Sequence, residues 1–346
     1  KLLGSPITNP IITTDFKEAQ LENVTPVFKS ETKAINYLKN IHLFVNKNLK
    51  NELLWPFSMP GLLPKDSKIP LAQYGNSHSG KMRTLYRLGL SYRYGRKIQT
   101  VSGIHYNYSF SEKIWDLLYK QFHHGPEGKT EKSENFKFTK NLDDKTRFIS
   151  ESYLHLIRNF LKLGWIYSFL FGASPAVDRS YLEKEKTFLK KNGWNTFYGE
   201  HACSLRVSEL GYYSKIQAQL AVSFNSLEEY LKDLHYAITT PEPKYRGLPG
   251  KNINILQQES EHYSRIRPKQ ILQPGETPIK AIGERGIRYV EARNVDLDPY
   301  SPLGVSQEQL QFLHVFLIYC LFKESPPMIS LIGGLSLDGL CKVPHL

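Results

Sequence analysis

Apolar residues recur at helical spacing in three segments of the chain. In segment 31–49, isoleucine, leucine and valine residues follow Ser30 at three- and four-residue steps, and Ser30 is a candidate helix cap. The same period returns in segments 146–163 and 306–322. The pattern predicts three amphipathic or buried helices that act as packing elements.

Segment 104–110 has a period of two, because apolar or aromatic residues alternate strictly with polar ones. Isoleucine, tyrosine and phenylalanine occupy the even positions, whereas His105 and Asn107 lie at odd positions. Because successive side chains of a strand point to opposite faces, we predict a strand with one core face and one polar face.

Segment 287–295 repeats this alternation near the end of the chain. Glu291 and Arg293 share one face with Tyr289 and Val295, and the other face carries Arg288, Val290, Ala292 and Asn294. Helices and strands do not follow each other in regular βαβ order, so we predict an α+β fold with a mostly antiparallel sheet.

Composition is that of a globular protein. The 346 residues are 40% hydrophobic and 12% aromatic, which excludes a disordered or collagen-like chain.

Cys203, Cys320 and Cys341 form no CxxC pair, and this favours a reducing compartment over a disulfide framework or a zinc site. The longest apolar segments, 163–177 and 312–322, are too short for a membrane helix, and the start does not resemble a secretory signal. We therefore expect a cytoplasmic protein without a membrane partner.

The formal net charge of +12, from 45 Lys and Arg against 33 Asp and Glu, calls for an anionic partner. A nucleic-acid-binding protein is one interpretation, because phosphate contacts dominate such binding. The basic residues are dispersed, however, and no RNP, KH or helix-turn-helix pattern occurs, so we expect no nucleic-acid partner.

Carboxylates and a histidine form the first candidate site. Asp15, Glu22 and Glu291 offer oxygen ligands of the kind that Mg²⁺ prefers, with His105 on the polar face of its strand. The alternative is that Glu291 and Arg293 form a solvated pair on an exposed sheet face and that His105 is a core histidine. Spacing alone does not separate these interpretations.

Basic residues form the second candidate. The loop 72–81 is rich in small residues and is followed by several arginines, so it suits either a phosphate-binding loop or the exposed face of a basic helix. Its GxxxxGK spacing lacks the Ser or Thr of a Walker loop, because Met82 stands in that position. Further along, Arg206, Arg267 and Arg293 carry guanidinium groups suited to carboxylate and phosphate recognition.

Whole stretches of this sequence resemble the proteobacterial glutamate-cysteine ligase family, also called γ-glutamylcysteine synthetase. The resemblance runs in order from about residue 11 to 327. It is carried by LWPFSMP at 54–60, the loop 72–80, LYR at 85–87, RYG at 93–95, QTVSGIHYN at 99–107, FGASPA at 171–176, YVEAR at 289–293 and DPYSPLGV at 298–305.

The resemblance implies a glutamine-synthetase-like α+β fold, in which a curved antiparallel sheet forms an active-site funnel with flanking helices. Members of the family use ATP and Mg²⁺ to join the γ-carboxylate of L-glutamate to the amine of L-cysteine through γ-glutamyl phosphate. This reaction is the first step of glutathione biosynthesis. It requires electrostatic stabilisation of a phosphoryl group in transfer.

The resemblance also implies roles for individual residues. Asp15, Glu22, His105 and Glu291 match metal-site residues. His105 and Arg293 match catalytic residues, and Arg267 and Arg293 match residues at the ATP phosphates. Residues matching the substrate site around cysteine are Tyr86, Leu90, Gln99, Val101, Asn107, Arg206, Tyr212 and Tyr263.

The family pattern also sets expectations for domain organisation. It assigns residues 1–327 to a ligase catalytic domain without its N-terminal strand, which carries a Gly-x-Glu-Arg-Glu type motif with principal Mg²⁺ ligands. Residues 328–346 depart from the pattern, so we expect a truncated or frame-shifted reading there. An inactive fragment of the ligase is therefore an alternative to an active enzyme. We expect a monomer, and a solvated loop without a site at 124–145.

Overall fold

The computed structural model describes residues 5–123, 139, 142–184, 186–211, 214–247 and 252–328. Most of the predicted solvated loop at 124–145 lies outside the described residues, and so does the atypical tail beyond residue 328.

The described residues form α-helices and short strands in a mixed order. The helices are α1 (Glu31–Asn48), α2 (His78–Tyr94), α3 (Glu112–His123), α4 (Asp144–Leu163), α5 (Trp165–Phe171), α6 (Lys215–Ala218), α7 (Leu227–Thr239), α8 (Pro278–Arg285) and α9 (Gln307–Phe322). The strands are β1 (Ile12–Thr14), β2 (Leu21–Asn23), β3 (Ile104–Tyr108), β4 (Ala176–Asp178), β5 (Lys190–Asn192), β6 (Thr196–Tyr198), β7 (Ile266–Lys269) and β8 (Tyr289–Val295).

The three predicted helices are confirmed as α1, α4 and α9, each within two residues of the expected bounds. Ser306 begins α9 with a capping box, in which its hydroxyl accepts from the Gln309 backbone and the Gln309 side chain accepts in return. Ser30 precedes α1 as expected, but its hydroxyl makes no capping hydrogen bond within the described residues. The structure therefore gives Ser30 the position of a cap without its side-chain contact.

An antiparallel sheet in the order β3-β8-β7 joins segments that are far apart in sequence. Asn107 of β3 and Arg267 of β7 both lie opposite Glu291 of the central strand β8. Tyr106 lies opposite Ala292, which is buried. One face of the sheet is consequently polar and the other is apolar, as the alternation in β3 and β8 predicts.

The prediction for Val295 was wrong. The register shifts between the pairs Tyr106↔Ala292 and Ile104↔Val295, so β8 carries one residue more than β3 over this interval. A bulge of this kind reverses which face the following residues occupy. Val295 is therefore fully buried in the core, on the face opposite to Glu291 and Arg293.

The main core lies between the apolar face of this sheet and the helices α4 and α9. It is formed by buried aromatic and aliphatic side chains of both helices, with further contributions from α7 and α8. Burying these side chains removes apolar surface from water, at about 25 cal/mol per Å². The helices thus fix the sheet from behind and leave its polar face free of core contacts.

The described residues form two further antiparallel sheets beside this core. Strands β1 and β2 form a hairpin that packs through Ile12 against Ile41 and Val45 of α1. Strands β4, β6 and β5 form a separate sheet with its own buried cluster around Val177 and Phe197. The molecule is therefore a mixed helix and sheet fold with small antiparallel sheets.

None of the helices in the described part of the chain combines the length and apolar character needed to cross a bilayer.

The main core generates a stability prediction. Leu154 of α4 is fully buried, whereas Leu117 of α3 is 69% exposed. We expect Leu154→Ala to lower the free energy of unfolding by about 2–5 kcal/mol through lost burial and an unfilled cavity. The same substitution at Leu117 is expected to cost at most about 0.5 kcal/mol. Urea unfolding of both variants measures the difference, and equal losses would contradict this assignment of the core.

Candidate functional site

Glu291 lies at the centre of the polar sheet face and is surrounded by basic groups. Its Oε2 is 3.1 Å from Nη1 of Arg293 and 3.5 Å from Nζ of Lys269. Burial alone would raise the pKa of Glu291, but the charges of Arg293 and Lys269 outweigh this effect and lower the pKa to about 2. Glu291 is therefore ionised at neutral pH and nearly buried, with 6% of its surface exposed.

His105 lies beside this cluster as a neutral imidazole. Its side chain is 32% exposed, yet loss of hydration and the charge of Arg293 lower its pKa well below the usual range. Nδ1 lies 3.5 Å from Nη1 of Arg293, and its role as donor or acceptor depends on the tautomer of the ring. The contact of 3.6 Å with Glu291 Oε1 is therefore a contact of a neutral ring rather than an ion pair.

The hairpin that carries Asp15 and Glu22 is held in place by contacts with α2 and the loop before it. Arg87 donates from Nε to the Asp15 carbonyl at 2.5 Å, and its guanidinium lies 4.5 Å from the ring centre of Tyr74. The Tyr74 hydroxyl donates to the Thr14 carbonyl at 2.9 Å. The basic residues after loop 72–81 thus serve partly as structural anchors, and Ser77 of that loop caps α2.

The hairpin carboxylates interact electrostatically with the polar sheet face. Burial raises the pKa of Asp15. Glu22 is exposed at the surface of β2, yet the loss of hydration caused by nearby atoms and the neighbouring charge of Asp15 raise its pKa to about 7, with a smaller contribution from Glu291. Asp15, Glu22 and Glu291 therefore belong to one electrostatic site.

The described residues contain no preformed set of metal ligands. No group of three or more His, Cys, Asp or Glu side chains there is placed to hold a metal ion. The raised pKa values of Asp15 and Glu22 nevertheless mark carboxylates whose charge is poorly compensated. This donor chemistry suits Mg²⁺ in its usual mode, in which one or two carboxylates share the ion with substrate phosphates.

A second polar region lies between α2 and the segment that precedes β7. Gln99 donates from Nε2 to the Tyr263 hydroxyl at 3.0 Å. The Tyr86 hydroxyl interacts with Gln258 and Ser260 of the facing segment, and burial raises its pKa to about 12. These contacts bring together three residues that the family resemblance places around the substrate.

Arg206 lies next to strand β8 of the sheet. It is 1% exposed, donates from Nη2 to the Arg293 carbonyl at 2.7 Å, and lies 3.6 Å from Asp296 Oδ1. A Cβ at Gly103 would lie 2.0 Å from Arg206 Nη2, so the glycine permits this close approach.

The remaining predicted residues differ in accessibility. Leu90 and Val101 are buried, whereas Asn107 is exposed on β3. Arg267 is buried, and its two Nη groups donate to the carbonyls of Ser260 and His262. Tyr212 lies outside the described residues.

Sequence reasoning missed three charged residues that shape this site. Lys269 lies two residues after Arg267 on β7, so strand periodicity contained a signal for it. Asp296 accepts hydrogen bonds from Ser174 at 2.6 Å and Ser204 at 3.0 Å, and no local pattern indicates this. Glu261 is buried two residues before Tyr263, and its Oε1 accepts from Tyr94 and Arg93 of a distant segment.

Comparisons with known proteins agree on one family. The profile of the family described as "Glutamate-cysteine ligase" matches residues 1–331. The glutamate–cysteine ligase of Alcanivorax borkumensis is 42% identical, over 100% of this chain and 65% of that protein. The glutamate–cysteine ligase of Hahella chejuensis is 43% identical, over 95% of this chain and 61% of that protein. The chain thus spans less than two thirds of the length of these curated relatives.

Solved structures are similar to this chain as well. A crystal structure of the glutamate–cysteine ligase of Francisella tularensis in complex with AMP matches with a TM-score of 0.84 and 35% identity, over 98% of this chain and 64% of that one. A bifunctional glutathione synthetase from Pasteurella multocida matches with a TM-score of 0.73 and 28% identity, over 98% of this chain and 38% of that one.

The raised pKa of Glu22 predicts a pH-dependent stability difference. Below about pH 4.5 the folded and unfolded chains both hold the proton. Between about pH 4.5 and about pH 7 only the folded chain keeps the proton on Glu22. The free energy of unfolding therefore falls as the pH rises. Glu22→Gln removes this effect. In unfolding experiments without divalent cations, we expect the variant to gain stability relative to the wild-type chain from about pH 4.5 and to reach its full advantage above about pH 7.

The control for this prediction is Glu52→Gln, which changes an exposed carboxylate away from the hairpin. Its stability difference from the wild-type chain should stay nearly constant over the same range of pH. If the stability difference between Glu22→Gln and the wild-type chain also stayed constant with pH, the folded structure would not raise the pKa of Glu22.

Proposed function

Because the chain belongs to the glutamate–cysteine ligase family, we propose that it catalyses the ATP-dependent joining of L-glutamate to L-cysteine. In this reaction the γ-phosphoryl group of ATP passes to the γ-carboxylate of glutamate. The amine of cysteine then attacks the acyl phosphate, and phosphate leaves. The products are γ-glutamylcysteine, ADP and phosphate, and this is the first step of glutathione biosynthesis.

The observation that carries this proposal is the charge arrangement on the polar face of β3-β8-β7. Arg293 and Lys269 flank the single carboxylate of Glu291, and Arg267 lies next to it across the strands. Such an excess of basic groups favours anionic phosphates. Phosphoryl transfer depends mainly on positioning and on electrostatic stabilisation of this kind.

Each basic group has a different proposed part. Arg293 is 19% exposed at its side chain and is tied to Glu291, so its planar fork is pre-oriented for a phosphate of ATP. Arg267 already donates to two loop carbonyls, so we assign it a long-range electrostatic effect on the nucleotide rather than a direct contact. His105 stays neutral, and its side-chain ring is positioned by Arg293 close to the transferred group.

We propose that Asp15, Glu22 and Glu291 hold Mg²⁺ together with the ATP phosphates, with His105 close to the ion. A bound Mg²⁺ offsets phosphate charge during transfer. Binding of the cation would also favour the ionised form of Glu22, whose pKa of about 7 leaves it partly protonated at neutral pH.

The region between α2 and Tyr263 is the proposed substrate site around cysteine. Gln99 donates to the Tyr263 hydroxyl, and Tyr86 contacts the segment that precedes Tyr263. The family resemblance adds Leu90 and Val101, which are buried. Tyrosine rings offer apolar contact for a thiol side chain, while their hydroxyls suit a carboxylate. Arg206 and Asn107 lie towards the sheet, and the family resemblance adds Tyr212.

At the level of the whole domain, we propose that residues 1–327 act as one catalytic unit. The polar sheet face then forms the floor of a glutamine-synthetase-like funnel, and the hairpin of β1 and β2 forms part of its wall. We further propose a cytoplasmic monomer without a nucleic-acid or membrane partner.

The purified 346-residue chain tests this function directly. ADP release is measured with ATP, Mg²⁺ and both amino acids, and again with each component left out. Release that requires glutamate and cysteine together supports the ligase. No release, or release independent of cysteine, overturns the proposal for this chain.

Glu291→Gln tests the carboxylate at the centre of the site. We expect a loss of about 1–3 kcal/mol, a fall of roughly 5- to 150-fold in kcat/KM for ATP, because a charged ligand and the partner of Arg293 and Lys269 disappear. The control is Glu112→Gln, which removes the exposed ion pair of Glu112 with Arg288. Steady-state kinetics at limiting Mg²⁺ should separate the two variants, and unchanged turnover in Glu291→Gln would contradict its role.

A further inference from the structure

The two tyrosines of the proposed substrate site, Tyr86 and Tyr263, belong to chain segments that are not hydrogen-bonded to each other as strands. Tyr86 lies on α2, and Tyr263 follows the short helical turn Glu259–Glu261. The separation between these rings therefore depends on side-chain contacts between the segments.

Glu261 supplies the first of these contacts. It is 1% exposed, and its Oε1 accepts hydrogen bonds from the Tyr94 hydroxyl at 2.6 Å and from Arg93 Nη1 at 3.3 Å, both on α2. Its Oε2 accepts from the Gln257 backbone at 2.7 Å. A buried carboxylate with these donors ties the segment around 257–261 to the end of α2, because leaving it unpaired would be costly.

Gln217 supplies the second contact and reaches Tyr263 itself. Its Nε2 donates to the Tyr94 hydroxyl at 2.9 Å and to the Glu261 carbonyl at 3.0 Å, while its Oε1 accepts from the Tyr263 backbone at 2.7 Å. The Gln217 side chain is buried, so these bonds are protected from competition with water. The ring of Tyr94 also packs against Tyr263, with 5.5 Å between ring centres.

We propose that Tyr94, Gln217 and Glu261 form a positioning relay that fixes Tyr263 opposite Tyr86 and Gln99 for the amine substrate. The effect of this relay on catalysis rests on the proposed function. Its members act through Tyr263 and are positioning residues rather than catalytic ones. Because they act on the amine substrate and not on the nucleotide, disturbing the relay should affect the two substrates differently.

Tyr94→Phe is the sharpest test, since it removes one hydroxyl and keeps the ring. Loss of that hydroxyl leaves Glu261 and Gln217 each without one partner in a buried setting. We expect the KM for cysteine to rise about tenfold, which corresponds to one hydrogen bond of about 1.4 kcal/mol. The kcat and the KM for ATP should stay within about twofold.

Tyr153→Phe is the matched control. Tyr153 is also fully buried, and its hydroxyl donates to the Arg288 carbonyl at 3.1 Å and accepts from the Phe110 backbone at 3.2 Å. It lies in the main core, so its loss should lower the melting temperature and leave the KM for cysteine unchanged. An unchanged KM in Tyr94→Phe, or an equal rise in both variants, would overturn the relay.

A second measurement needs no turnover. In the chain labelled with fluorotyrosine, the fluorine NMR line of Tyr263 is assigned by its loss in Tyr263→Phe. We expect this line to shift or broaden in Tyr94→Phe and in Gln217→Met, and to stay in place in Tyr153→Phe. A Tyr263 line that does not respond to either relay variant overturns the inference. A responding line in a chain without ligase activity supports the relay and rejects the proposed function.

Discussion

The placement of strand β8 at the centre of its sheet is the constraint on which the rest of the structure depends. Because side chains alternate along a strand, the same seven residues must fill a core on one side and build a charged surface on the other. Val290 and Ala292 are fully buried against the helical core, while Glu291 and Arg293 point to the opposite face. A slip of one residue in the register would bury the charged pair and expose the core residues. Packing of α4 and α9 therefore also fixes the geometry of the candidate site.

The candidate site has two groups of charged residues, one on the sheet where basic groups prevail and one on the hairpin where carboxylates prevail. On the sheet, the carboxylate of Glu291 is outnumbered by basic groups, and its pKa falls to about 2. On the hairpin, Asp15 and Glu22 lack comparable compensation, and their pKa values rise. The first arrangement favours an anion and the second favours a cation. A nucleotide bound with a divalent ion satisfies both, because it brings the two charges to the same place.

Local sequence patterns predicted those parts of the fold that depend on local spacing. The helices α1, α4 and α9 and the polar faces of β3 and β8 follow directly from hydrophobic periodicity. The bulge that turns Val295 into the core was not predictable, because it depends on how β3 pairs with β8. The contacts of Glu261 and Asp296 were missed for a related reason. Their side-chain partners lie far away in the sequence, and a lone acidic residue is more often at the surface.

The positive net charge takes on a different meaning once these contacts are known. Arg87, Arg93, Arg158, Arg206 and Arg267 all donate to backbone carbonyls from other elements or loops. A guanidinium used in this way satisfies carbonyls that no helix or strand partner reaches, although Arg93 and Arg206 also lie beside the carboxylates of Glu261 and Asp296. Each such arginine adds to the formal charge without creating an exposed basic surface. A protein that binds nucleic acid instead needs accessible basic groups along one face. Part of the +12 is therefore a consequence of how the loops around the site are fixed, and it is not by itself a sign of a polyanionic partner.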